Sequence, residues 1–145
     1  MPEAGGAVLG VDYGQRRVGL ATGHPLTGSA QPLRTIEHSG DPSDELDAVV
    51  REWRPARIVV GLPLAADGSE SDMSREVRRF ADDLRKRHPG IPVDFHDERF
   101  SSAAVDRRFA EARAAGRARR RDARNLDAHA AAVILESWLA EHPAP

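Results

Sequence analysis

With 145 residues, no cysteine and a formal net charge of −2, the chain has the length of one domain, enough to bury most of its apolar surface in a single core. The absence of cysteine excludes disulfides and thiolate metal sites, and the lack of any run of eighteen apolar residues excludes a membrane-spanning helix. No basic-then-apolar leader opens the chain, so a cytoplasmic location is expected.

Val8, Leu9 and Val11 mark a first strand over residues 7–12, followed by the turn Tyr13-Gly14-Gln15-Arg16. Alternation of Val18 and Leu20 predicts an antiparallel return over 17–22, and residues 30–36 a third strand. "DPSDELDAVVREW" opens a helix, with Asp41 placed to cap it, Pro42 suited to the first helical position, and Leu46, Val49, Val50 and Trp53 as its apolar stripe. "RIVVGLPL" reads as a buried strand stopped by Gly61 and Pro63. A second helix is expected over 70–87, with Met73, Val77, Phe80, Ala81 and Leu84 inward, and a last strand over 91–98. Ser101 or Ser102 can cap a third helix carrying Val105 and Phe109, and the final helix is expected over 126–141. Three strands in meander, then alternating helices and strands, imply an α/β domain over residues 1–145: a five-stranded mixed sheet with helices on both faces, in the order of a ribonuclease-H-like fold.

A bare carboxylate at the end of a buried strand costs several kcal/mol, roughly, unless something compensates it. Asp12 stands there. Glu98 ends the last strand, and parallel neighbours of a central first strand present their carboxyl ends on one edge. Asp127 lies in the expected first turn of the last helix, four and seven residues before Ala131 and Ile134, and so on the side that turns inward. Three carboxylates within about 4 Å would repel by roughly 1–4 kcal/mol per pair. A hard divalent cation removes that cost. Mg²⁺ or Mn²⁺, as a pair about 3.5–4 Å apart, would clamp a phosphodiester for in-line attack by water. Each acid also has a local reading: Asp12 in the Gly14 turn, Glu98 paired with Arg99, Asp127 as a helix cap. The six histidines show no ligand spacing, and Asp97 should alternate to the opposite face from Glu98. Asp67-Gly68 reads as a turn beyond a strand end.

Charge is segregated. Between Arg99 and Arg124 nine arginines face only Asp106, Glu111 and Asp122, while the chain as a whole is slightly acidic. Such a block is a footprint for a phosphate backbone, or else a solvated loop. Arg99 beside Glu98 and Arg117, Arg119, Arg120, Arg121 and Arg124 before Asp127 are the candidate nucleic-acid contacts; Tyr13 and Phe100 flank two of the acids and could stack a base, with core packing the favoured role for Phe100.

"VDYGQRRVGLA", "IVVGLPLAADGSES", "HDERFSS" and "LDAHAAAVILESWL" together resemble, in order and spacing, the YqgF/RuvX-type proteins, known as pre-16S ribosomal RNA nucleases and as Holliday-junction resolvase-like proteins. The resemblance spans nearly the whole chain. It implies a ribonuclease-H-like fold, metal-binding acids at Asp12, Glu98 and Asp127, and trimming of the 5′ end of the small-subunit rRNA precursor. The older family label implies cutting of four-way DNA junctions, which normally requires a symmetric dimer. No exposed apolar stripe announces one, so monomer and homodimer both stay open. Ala65 departs from the Asn that many members carry after "GLPL".

Two other classes compete. A sugar-kinase or actin-like ATPase shares an Asp-x-Gly phosphate loop but needs a second lobe, for which 145 residues leave no room. A non-catalytic nucleic-acid-binding protein on the same scaffold is the stronger rival.

Overall fold

The computed structural model describes residues 6–99, 107, 110–111 and 123–144. Five strands form one sheet: β1 (Val8–Tyr13), β2 (Arg17–His24), β3 (Ser29–Glu37), β4 (Arg57–Leu62) and β5 (Val93–Asp97), in the order β3-β2-β1-β4-β5. The hairpin pairs β1/β2 and β2/β3 are antiparallel, whereas β1/β4 and β4/β5 are parallel. Among the described residues three helices cover this sheet: α1 (Ser43–Trp53), α2 (Asp72–Arg87) and α3 (Ala123–Glu141). Of the expected third helix, Ser101, Ser102, Val105 and Phe109 lie outside the described residues, whereas Arg107, Ala110 and Glu111 are helical.

Strand periodicity divides the core in two. Leu9, Val11, Val18, Leu20, Ile58 and Val60 project to one face and pack with Leu46, Val49 and Val50 of α1 and Val77, Ala81 and Leu84 of α2. Val8, Ala21, Ala30 and Val59 project to the other, against Ala131, Ala132, Ile134, Leu135, Trp138 and Leu139 of α3. The two faces differ in bulk. Where α3 crosses, the strands carry glycine and alanine, and a Cβ on Gly10 would stand 2.9 Å from Leu135 Cβ. α3 therefore approaches the strand backbones more closely than α1 or α2 can.

Helix ends follow local chemistry. Ser71 caps α2 in a reciprocal box, its hydroxyl accepting from the Ser74 N–H while the Ser74 hydroxyl accepts from the Ser71 N–H. For α1 the expected cap shifts by one residue: Pro42 occupies the cap position, and the Asp41 carboxylate instead accepts from the Ser43 N–H. Trp53, expected in the apolar stripe, is 39% exposed because α1 ends on it and Arg54 turns left-handed at φ 45°. α3 begins three residues before its expected start, which moves Asp127 past the first turn.

Candidate functional site

Asp12 is the next-to-last residue of β1, the central strand, and its parity places it on the α3 face with Val8 and Gly10. Directly across in β2 stands Gly19. On the other side, continuing the β1/β4 register by one pair sets Gly61 beside it. Both lateral neighbours thus lack a side chain, and both gaps are filled. A Cβ on Gly19 would lie 2.0 Å from the Asp127 carbonyl oxygen, so the backbone of α3 rests on the strand there. A Cβ on Gly61 would lie 2.2 Å from Glu98 Oε2 and 2.5 Å from Ile134 Cδ1, so the Glu98 carboxylate occupies the place of the missing side chain. The row Gly19–Asp12–Gly61 brings the three acids, separated in sequence by 86 and 29 residues, to one edge of one face.

Glu98 is fixed at that edge by its backbone, whose N–H donates to the Leu62 carbonyl and extends the β4/β5 ladder by one residue. Asp97 points elsewhere, as alternation predicts. It takes Arg99 in a close pair, accepting from the Arg99 backbone N–H at 2.9 Å and from its Nε at 2.7 Å. That pairing holds the Asp97 carboxyl below its ordinary range. Arg99 is therefore engaged by Asp97 rather than Glu98, and it also packs over Gly68 of the Asp67–Ser69 turn. Asp127 accepts from Arg17 Nε at 2.6 Å. It is not a helix cap, since α3 starts at Ala123.

Electrostatics records the convergence. Burial pushes the Asp12 carboxyl up to about 7, with further elevation from Glu98 and then Asp127. Burial also raises Glu98 to about 7, followed by the negative charge of Asp97. Two carboxyls poised near neutrality at one sheet edge are a common mark of a functional site. The donors are all oxygen, which suits a hard cation and not a soft one. As the side chains stand, no three histidine or acidic side chains among the described residues surround one point. Asp127 is turned to Arg17.

Other expectations fare differently. Tyr13 lies on the opposite face, stacked on Phe80 with ring centroids 4.5 Å apart, and is no base-stacking platform beside Asp12. Phe100, Arg117, Arg119, Arg120 and Arg121 lie outside the described residues, as does the Arg124 side chain. His129 is buried. Sequence reasoning missed Gly19 and Gly61, whose signal was a glycine inside a strand pattern. Arg17 carried no signal.

The match to known proteins follows this geometry. Residues 6–141 fit the family model described as "RuvX: Holliday junction resolvase". The chain belongs to the RuvX family. A "Putative pre-16S rRNA nuclease" of Xanthomonas oryzae pv. oryzae (strain PXO99A) is 48% identical to this RuvX chain over 147 aligned positions, covering 97% of it and 94% of the relative. One of the same name from Xylella fastidiosa (strain M23) is 47% identical and covers 97% and 95%. Among solved structures, T. thermophilus RuvC in complex with Holliday junction substrate aligns with a TM-score of 0.57 at 16% identity, over 94% of the RuvX chain and 95% of that one. The yeast mitochondrial Holliday junction resolvase Ydc2 aligns at 0.54 and 10% identity, covering 96% and 80%. At such low identity these neighbours establish the ribonuclease-H-like fold alone.

Proposed function

We propose that this chain is a nuclease that hydrolyses phosphodiester bonds of precursor 16S rRNA with Mg²⁺ or Mn²⁺, as a pair of ions, held by Asp12, Glu98 and Asp127. The observation that carries this reading is the Gly19–Asp12–Gly61 row, which seats two further acids beside the central one. Nuclease relatives at 48% identity over almost the full length support the same chemistry and favour RNA as substrate.

The donor set fits the cation on two counts: it is all oxygen, and burial with nearby negative charge raises two of its carboxyls to about 7, a cost that a bound cation would offset. When bound, such cations supply Lewis acidity, lowering the pKa of an attacking water and offsetting charge on the leaving oxygen. The chain's own residues do the placing. β1 and the β4/β5 ladder fix Asp12 and Glu98 from the backbone, and Gly19 sets the depth at which α3 delivers Asp127. Because two acids come from the sheet and one from a packed helix, their spacing is set by rigid elements rather than loops. Arg99, already oriented by Asp97, stands at the rim near Glu98 as a donor for a phosphate oxygen. The arginine block before α3 supplies further, sequence-independent grip.

Cutting of four-way DNA junctions is the second reading, favoured by the description of the matching family model. A single assay separates the readings: precursor rRNA, linear duplex DNA and a four-way junction offered side by side with Mg²⁺ or Mn²⁺. Precursor rRNA is expected to be cut preferentially, and Asp12→Asn to lose more than roughly 100-fold of that activity while still binding RNA, since even groups behind a metal ligand cost 10–100-fold. Preferred, paired cutting of the junction by a dimer would reverse the order. Cleavage undiminished in Asp12→Asn would leave a nucleic-acid-binding protein with another origin for the activity.

A further inference from the structure

Arg17 is the first residue of β2 and shares the parity of Gly19, so it projects on the α3 face at the open end of the row. Its Nε holds Asp127 Oδ2 at 2.6 Å, with the Arg17 side chain 43% and the Asp127 side chain 27% exposed. Arg17 also borders a groove of about 620 Å³ lined by Gln15, Arg16, Glu37, His38 and Ser39. That groove has fixed walls. His38 Nε2 donates to the Gly14 carbonyl while Nδ1 accepts from the Gly40 N–H, and the His38 N–H donates to the Arg16 carbonyl. Arg16 and Arg17 set two positive charges along this wall against one acidic residue, Glu37.

We propose that Arg17 is an exchangeable counter-ion: it holds the third carboxylate while no cation is bound, yields Asp127 to an incoming divalent cation, and turns its guanidinium into the groove to take a phosphate of the nucleic-acid strand. The inference rests on the cation reading above and goes beyond it by coupling two binding events. A doubly charged ion beside Asp12 and Glu98 both competes for Asp127 and repels the guanidinium, whereas a partly exposed ion pair is weak enough to break. Once released, Arg17 joins Arg16 on the groove wall as a second donor suited to phosphate. Coupling of this kind is reciprocal, so a phosphate backbone in the groove tightens cation binding by the same factor that the cation tightens the backbone. Arg17 thus acts twice, first by releasing Asp127 to the ion and then by binding a phosphate itself.

Mn²⁺ uptake, counted by electron paramagnetic resonance of the free ion, tests the exchange without reference to turnover. Arg17→Gln is expected to bind Mn²⁺ roughly three- to thirtyfold more tightly than the wild type, as expected for removing one unit charge about 5 Å from a divalent ion in a well-screened setting. A purely structural Arg17 would move affinity the other way, because a loosened Asp127 is a poorer ligand. In the wild-type protein, the Arg17 Nε–H resonance is expected to shift as Mg²⁺ is added, saturating with the ion. This measurement stands even if the variant folds poorly. Mn²⁺ uptake by the wild type with equal or weaker uptake by a folded Arg17→Gln, or an Arg17 signal unmoved by saturating Mg²⁺, overturns the exchange alone. Wild-type protein that takes up no divalent ion overturns the cation reading beneath it.

Discussion

The carboxyls of Asp12 and Glu98 make a pH statement that can be measured. Both titrate near 7 in the folded chain, against ordinary values of 3.8 and 4.5. A carboxyl whose folded pKa is raised binds more protons folded than unfolded, so stability declines as pH climbs from about 4 to about 7. Asp41, Asp67, Glu70 and Asp97, all held low by hydrogen bonds, act with the opposite sign, and they do so in more acid solution. In a chelating buffer the melting temperature should therefore fall between pH 5 and pH 8. Mg²⁺ should restore most of that loss at pH 8 and do little at pH 5. Asp12→Asn should flatten the slope and stabilise the cation-free protein at pH 8 by about 1–3 kcal/mol, below the full linkage value because the side chain is only partly buried. A melting temperature that does not move with pH would show that the two acids are already compensated.

Among elements, α3 decides whether there is a site. Gly19→Ala and Gly61→Ala add the same methyl to neighbouring strands yet should behave differently. At Gly19 the obstacle is main chain, the Asp127 carbonyl at 2.0 Å, so α3 must lift; a loss of about 1–3 kcal/mol is expected in urea melts. At Gly61 the nearest atoms are the ends of the Glu98 and Ile134 side chains, which can swing away where main chain cannot. That variant should melt nearly as the wild type but lose Mn²⁺ affinity, and a calorimetric titration checks it. The strands were legible from short apolar runs such as Ile58-Val59-Val60, and α1 and α2 because a 3.6-residue period marks one buried face, as with Leu46, Val49 and Val50. α3 was less so. Ala128 and Ala131 through Leu135 are all buried, so the helix is apolar around most of its circumference and its start carries no acidic first turn. The trio of acids could be picked from strand ends and from the i+4 and i+7 spacing to Ala131 and Ile134, both buried as that spacing requires. Arg17 could not be read, since nothing in a sequence says which of two adjacent arginines meets an acid 110 residues away.

For the molecule as a whole, charge is segregated along the sequence, a slightly acidic chain carrying one basic block. The block from Arg113 to Arg124 was visible from composition alone, and a phosphate-binding role for it can be tested by counting contacts. Replacing Arg119, Arg120 and Arg121 together with glutamine should weaken RNA binding and reduce the slope of log affinity against log salt by about 2, since each contact on a single strand contributes roughly 0.7. An unchanged slope in a filter-binding series would make the block a solvated loop. No described helix is long and apolar enough to cross a membrane. The small-residue seam under α3 has a last implication, for variants of this gene. Enlarging Gly10 or Ala131, both buried in that seam, would tilt the helix and shift Asp127 from its place beside Asp12 and Glu98. A chain can therefore keep every acid and still be inert, and a survey that inspects only the acids would count it as active.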